Sequence, residues 1–281
     1  MSAGLRRLAL SPMMPLARAA ARAYVVGPEL SDALDRAHLL AGNGLASTLC
    51  FWDGPEHTPD QVADRYLEGM RAIAPARLDS YLSIKAPSLA FDAGLLDPIA
   101  EEGARLGVGV HFDSLGPEAA DRTFELIEAT QRHGTNTGCT LPGRWSRSVA
   151  DADWAARRGL RVRVVKGQWA DAGADERDPR RGYLNLIDAL AGRARRVAVA
   201  THDPELAAAA IRKLQAAGTP CELELLFGLP SRAALAVGRK LGAAVRFYLP
   251  YGHAWLPYGI RQAAKNPRIL WRMLRDAWSA A

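Results

Sequence analysis

The chain has 281 residues, 49% hydrophobic and 23% charged, with a net charge of +6. That is enough to bury one large core or two smaller ones, and no apolar run approaches the roughly 20 residues that span a bilayer. The basic balance suits an anionic cofactor or an anionic surface, although an Ala- and Arg-rich coding bias is the plainer source. Nucleic acid is disfavoured, because the arginines are dispersed with no aromatic-interleaved basic stripe.

The first residues carry Arg6, Arg7, Arg18 and Arg22 and no acid before Glu29. A transit peptide and a cationic amphipathic helix both look like that. An ordinary N-terminal helix is preferred, because a helical pattern continues through "LSDALDRAHLL" after a Gly-Pro break. Pro12 and Pro15 interrupt the apolar core that a secretory signal needs. Residues 1–40 are therefore expected to be helices flanking a domain that spans 41–281.

From there, strand-like runs alternate with helical stretches. "LASTLCFW" (Leu45–Trp52) reads as a strand and "PDQVADRYLEGMRAI" as the helix after it. "SYLSIK" (Ser80–Lys85) precedes a helix from about Asp92 to Leu106. "GVGVHFD" (Gly107–Asp113) precedes "PEAADRTFELIEATQRH", and "TNTGCTL" (Thr135–Leu141) precedes "VADADWAARRG". "LRVRVVKG" (Leu160–Gly167) is the clearest buried strand, followed by a polar loop and a helix from about Tyr183. "RVAVATHD" (Arg196–Asp203) leads to "PELAAAAIRKLQAAG", "CELELLFG" (Cys221–Gly228) to "SRAALAVGRKLG", and "AVRFYLP" (Ala244–Pro250) to the final helical region. Eight such units predict an α/β fold with a parallel sheet closed into a (β/α)8 TIM-type barrel. No Gly-x-Gly-x-x-Gly follows the first strand, which disfavours a Rossmann domain.

The three cysteines, Cys50, Cys139 and Cys221, form no Cys-x-x-Cys pair and read as small buried thiols in a reducing compartment. The histidines are scattered with no metal-ligand spacing, so no metal is expected. A barrel works at the C-terminal ends of its strands. Lys85, Asp113, Lys166, Thr201, His202, Asp203 and Tyr248 each end an apolar run there, and a barrel would bring them to one bowl.

"YLSIKAPSL", "VHFD", "RVRVVKGQW", "VAVATHD", "ELELLFG" and "VRFYLPYGHAWLPYGIRQAAKNPRILWRML" stand in an order and spacing that resemble the proline dehydrogenase family over nearly the whole chain. The resemblance implies a (β/α)8 barrel that binds FAD and oxidises L-proline to Δ1-pyrroline-5-carboxylate, passing electrons to membrane quinone. It implies a carboxylate clamp of Lys85 and Arg261, with Tyr258 and Tyr248 beside the substrate ring. It implies a flavin cradle along Arg163, Val165, Lys166, Gly167 and Trp169. There Arg163 lies near the reactive nitrogen and Asp113 positions it, while Thr201 and His202 make further contacts at the end of the sixth strand. His202 reads alternatively as a cap before "PELAAA", and Trp169 as loop packing.

The chain departs from the family pattern at the same face. Gln262 stands where the clamp has its second arginine, which removes one charge-assisted bond of roughly 1.5–3 kcal/mol, about ten- to a hundredfold in affinity. Lys265 replaces a glutamate, Pro142 a glutamine, and "CFWDGPEH" lacks the usual Leu-Gly-Glu and the acid before it. The expected function is a flavin-dependent proline dehydrogenase, or an enzyme for a related cyclic secondary amine. The competing reading is a barrel that binds a metabolite or partner without flavin, and flavin absorbance separates the two. The expected location is cytoplasmic. "RILWRMLRDAW" reads either as a last barrel helix, which is preferred, or as a peripheral contact with an anionic membrane.

Overall fold

The computed structural model describes residues 25–169, 171 and 178–252. Eight parallel strands close into a barrel in sequence order. They are β1 (Ala46–Trp52), β2 (Ser80–Ile84), β3 (Val110–Phe112), β4 (Thr137–Pro142), β5 (Arg161–Val165), β6 (Arg196–Ala200), β7 (Cys221–Leu226) and β8 (Ala244–Gly252). The barrel shuts where β1 pairs with β8 from Ala46↔Arg246 to Trp52↔Gly252. This is the (β/α)8 barrel that the alternation of strands and helices predicts.

Helix α1 (Leu30–Ala41) lies against β1 and β8 and buries Ala33 and Ala37. Each of the first seven strands then leads to a helix: α2 (Pro59–Ile73), α3 (Ala93–Leu106), α4 (Ala120–Arg132), α5 (Ser148–Arg157), α6 (Pro179–Leu190), α7 (Pro204–Ala216) and α8 (Arg232–Lys240). Several helices start at a side-chain cap followed by proline, whose fixed φ suits the first helical turn and whose missing N–H costs nothing there. Thr58 forms a capping box with Gln61 before Pro59. Asp178 caps Arg180 N before Pro179, and Asp203 caps Glu205 N and Leu206 N before Pro204. These caps fix where the chain leaves the mouth of the barrel.

Two expected boundaries move for identifiable reasons. The helix expected from Tyr183 begins at Pro179, because the Asp178 cap starts it one turn earlier. The eighth strand continues past Pro250 to Gly252, because the incoming chain pairs with its end: Val26 N donates to Pro250 O (2.9 Å) and Gly252 N to Gly27 O (3.0 Å). Proline is tolerated there because its carbonyl still accepts.

The strands alternate with period two. One face (Leu49, Leu82, Val110, Val162, Val197, Leu223 and Phe247) packs under the helices in the main apolar core. The other face points into the barrel and is largely polar: Thr48, Tyr81, Ser83, His111, Thr140, Arg163, Glu222, Glu224 and Arg246 are all buried. Most barrels fill this space with branched aliphatic side chains. Here hydrogen bonds between strands that are not neighbours, such as β5 Arg163 with β7 Glu224 and β2 Ser83, cross the interior.

Candidate active site

The floor of the mouth is organised by Arg163. Its side chain is only 5% exposed. Nε donates to Glu224 Oε2 (2.7 Å) and Nη2 to Glu224 Oε1 (2.8 Å) and Tyr81 Oη (3.4 Å). Nη1 donates to Asp113 Oδ1 (2.7 Å) and lies 3.3 Å from Thr140 Oγ1 and 3.5 Å from Ser83 Oγ. Burial opposes the charge, but Glu224, Tyr81 and Asp113 outweigh it and hold the guanidinium ionised. Glu224 is itself anchored by Thr48 Oγ1 (2.9 Å) and Tyr81 Oη (3.2 Å). The guanidinium groups of Arg161 and Arg246 lie 4.0 Å and 4.6 Å from the centre of the Tyr81 ring. Below it, Arg246 bonds Glu222 and Asp79, which closes the barrel's N-terminal end.

Asp113 follows β3 and collects donors from four strands or strand ends. Ser83 Oγ donates to Oδ1 (2.7 Å), Tyr248 Oη to Oδ2 (2.6 Å), and the Cys50 thiol lies 3.7 Å from Oδ2. Burial, then the charge of Asp113, keeps Tyr248 a neutral phenol that donates. Lys85 follows β2 and turns over the rim of β1: Nζ reaches Phe51 O (3.0 Å) and Cys50 Sγ (3.2 Å) and sits 5.6 Å from the centre of the Trp52 ring. Burial pushes the Cys50 thiol up to about 11. Burial disfavours charge on Lys85 too, but the Cys50 sulfur, Asp113 and Asp53 prevail and keep it an ammonium.

These groups line an open cleft of about 1470 Å³ at the C-terminal mouth. All seven strand-end residues, Lys85, Asp113, Lys166, Thr201, His202, Asp203 and Tyr248, converge on it, joined by Arg163, Val165, Gly167 and Trp169. The chain leaves β5 at Gly167 with φ +94, and a Cβ there would sit 2.9 Å from Pro142 Cβ, so the turn requires glycine. Trp169 is 41% exposed at the rim, and its carbonyl accepts from Trp145 Nε1 (3.0 Å). Asp203 caps α7 and also meets Lys166 (3.5 Å) and Arg180. Burial pushes this carboxyl up, but the Leu206 N–H and the two cations pull it below its usual value.

His202 does not cap α7; Asp203 does. Both ring nitrogens of His202 are taken by backbone. Nδ1 donates to Pro230 O (3.0 Å), and Nε2 accepts from Leu226 N (2.9 Å). The imidazole therefore offers the cleft a ring surface and no free nitrogen, and burial lowers its pKa to about 4. In the unfolded chain it protonates near 6.5. Stability carried by the neutral ring is complete above pH 6.5 and is lost as the pH falls towards 4. Between pH 7 and pH 4 the parent chain is expected to lose up to about 3 kcal/mol more than a His202→Asn variant. Urea unfolding across that range measures it, and parallel profiles would count against it.

Tyr258, Arg261, Gln262 and Lys265 lie outside the described residues, as do Trp271 and the N-terminal arginines. Glu224 and Cys50 were not expected at the site. The signal for Glu224 was present in "CELELL", where two acids two residues apart share one face of a buried strand. Among the described residues there is no cluster of metal-ligating side chains and no helix long and apolar enough to cross a membrane.

An ion-paired, polar bowl at the C-terminal mouth of a (β/α)8 barrel defines a barrel of the kind that binds and transforms small molecules. The chain resembles proline dehydrogenases: it is 24% identical to proline dehydrogenase 1 of Bacillus subtilis (strain 168) over 266 residues, 89% of this chain and 88% of that protein. No family model matches it. Among solved structures it is similar to proline utilization A from Bdellovibrio bacteriovorus (TM-score 0.76, 18% identity, 87% of this chain) and from Corynebacterium freiburgense (TM-score 0.71, 20% identity, 94% of this chain). It spans 32% of the length of each of those solved chains.

Proposed function

We propose that the protein is an FAD-dependent dehydrogenase that oxidises L-proline, or a closely related cyclic secondary amino acid, to the corresponding cyclic imine, Δ1-pyrroline-5-carboxylate in the case of proline. The observation that carries this reading is the convergence of Lys85, Asp113, Arg163, Lys166 and Tyr248 on one cleft, in a chain similar to a proline dehydrogenase over 89% of its length. We further infer a cytoplasmic enzyme that hands its electrons to a quinone.

The residues present fit the cofactor. The cleft, about 1470 Å³, exceeds the ~300–1000 Å³ of pockets for drug-sized ligands, which leaves room for a dinucleotide and a small substrate together. Lys166 is 43% exposed and holds Asp203 only at 3.5 Å, so its ammonium can meet an anionic group. The exposed Trp169 offers a flat apolar face for a planar ring. Val165, Lys166, Gly167, Thr201 and His202 would hold the cofactor along β5 and β6. When bound, FAD supplies the hydride acceptor.

The chain's own residues bind and orient the substrate. A carboxylate in a mostly dry site needs fixed cations. Lys85 supplies one: its described hydrogen-bond acceptors are a carbonyl and a thiol, and no carboxylate takes its protons there. By resemblance Arg261 supplies the other, with Tyr258 beside the ring. Tyr248, whose proton is committed to Asp113, contributes a phenol surface near Lys85. Orientation beside the acceptor then suffices for the reaction, which needs no protein nucleophile.

Turnover of L-proline by the FAD-loaded protein with a dye acceptor tests this reading, against a panel of hydroxylated and N-methylated prolines and other cyclic amines. Activity with none of them would reject it. Gln262→Arg is expected to raise kcat/KM for L-proline about ten- to a hundredfold by restoring the second cation of the clamp. An unchanged value would show that this position does not meet the carboxylate.

A further inference from the structure

A free guanidinium has five N–H donors and no acceptor. At Arg163 the protein engages every nitrogen: Glu224 takes the Nε edge and one Nη2 proton, Tyr81 lies at the other, and Asp113 with Thr140 and Ser83 surrounds Nη1. Asp113 alone would leave the Nε–Nη2 edge available. We propose that Glu224 is a positioning residue that holds Arg163 away from ligands and, with Asp113, cancels its charge, so that an anion or an electron-rich ring in the cleft meets no free guanidinium.

Glu224 is built to stay. It is 2% exposed and receives Thr48 from β1 and Tyr81 from β2, and the Tyr81 ring is in turn contacted by the guanidinium groups of Arg161 and Arg246. A bidentate carboxylate held from three strands is the strongest geometry available to a guanidinium. Lys85 donates to a thiol and a carbonyl rather than to a carboxylate, with Asp113 and Asp53 acting on it only as nearby charges. The two cations of the floor are thus unequal: Lys85 is left for the ligand, and Arg163 is withdrawn from it. Where the cofactor is concerned, the inference deepens the flavin reading and rests on it. A neutralised Arg163 gives a reduced, anionic flavin less support than a free one, so Glu224 also sets how readily the flavin is reduced.

The experiment uses the full chain without FAD, and trifluoroacetate as a carboxylate probe followed by ¹⁹F NMR. Glu224→Gln is expected to bind it about tenfold more tightly than the parent chain, and Glu224→Asp to stay within about twofold of the parent. Equal affinity for the parent and a cooperatively folding Glu224→Gln would overturn the proposal. A second readout needs only the parent chain. The Nε–H signal of Arg163, identified by its loss in Arg163→Lys, should not move at saturating trifluoroacetate, and a shift would overturn the proposal even if Glu224→Gln fails to fold. Neither readout requires flavin, so failure of FAD to bind rejects the functional reading and leaves this one to stand or fall alone. In FAD-loaded protein, Glu224→Gln should shift the two-electron equilibrium towards reduced flavin about tenfold, near 30 mV; an unchanged potential would count against the charge cancellation.

Discussion

Replacing Arg163 with methionine is expected to destabilise the protein by about 3–5 kcal/mol, the range for breaking a buried ion pair from one side. The loss comes less from the bonds than from what they leave behind. Glu224, 2% exposed, and Asp113, 13% exposed, would face each other across the barrel with no cation between them. Two carboxylates in a poorly solvated interior then lack the cation that offsets them. The double variant Arg163→Met, Glu224→Leu should recover only part of the loss, because it removes the Glu224 carboxylate but still leaves Asp113 without its guanidinium. Urea unfolding of the parent, the single and the double variants measures this. A single variant that costs less than about 1 kcal/mol would mean that the pair contributes nothing to holding β5 and β7 in place.

Lys85→Met should lower kcat/KM for L-proline about ten- to a hundredfold, chiefly through KM. Lys85 is at the edge of the cleft, and methionine retains its apolar stem while losing only the ammonium that bonds Phe51 O and Cys50 Sγ. The effect should be large because Arg163 is committed to Glu224 and Asp113 and Gln262 brings no charge, which leaves Lys85 and, by resemblance, Arg261 to meet the carboxylate. With a dye acceptor, steady-state kinetics over a wide proline range separate KM from kcat. A KM equal to that of the parent would remove Lys85 from the carboxylate clamp and shift the search for the substrate's anionic contact elsewhere.

The barrel was legible because its punctuation is local. Thr58-Pro59 and Asp203-Pro204 cap and start helices after strand runs, and such signals survive without knowledge of tertiary contacts. The bowl was legible for the same reason: a polar residue ending an apolar strand lies at the mouth of any barrel in which that strand takes part. The partners inside the barrel were not. Arg161 and Arg163, Glu222 and Glu224, and Arg246 with Tyr248 are spaced two apart, which says that each pair shares a face. Which strands meet across the interior depends on strand tilt and stagger, which no single strand carries. Hence Asp113 was expected beside Arg163 only through the family resemblance, and Glu224, which binds the same guanidinium more fully, was not expected there. His202 illustrates the opposite case: its position at the strand end was right, but its nitrogens serve Pro230 and Leu226, contacts that depend on how the β7–α8 loop returns.

Purified protein loaded with FAD and freed of oxygen, then given L-proline while its visible spectrum is recorded, tests the proposed chemistry most directly. Bleaching of the flavin bands by L-proline, and by no acyclic amino acid, is the predicted result: it joins cofactor, reaction and substrate in one observation. A chain that takes up no FAD would contradict the account and make this barrel a binding protein built on a dehydrogenase fold. A bound flavin left oxidised by every cyclic amine would contradict the catalytic half while leaving the cradle along β5 intact.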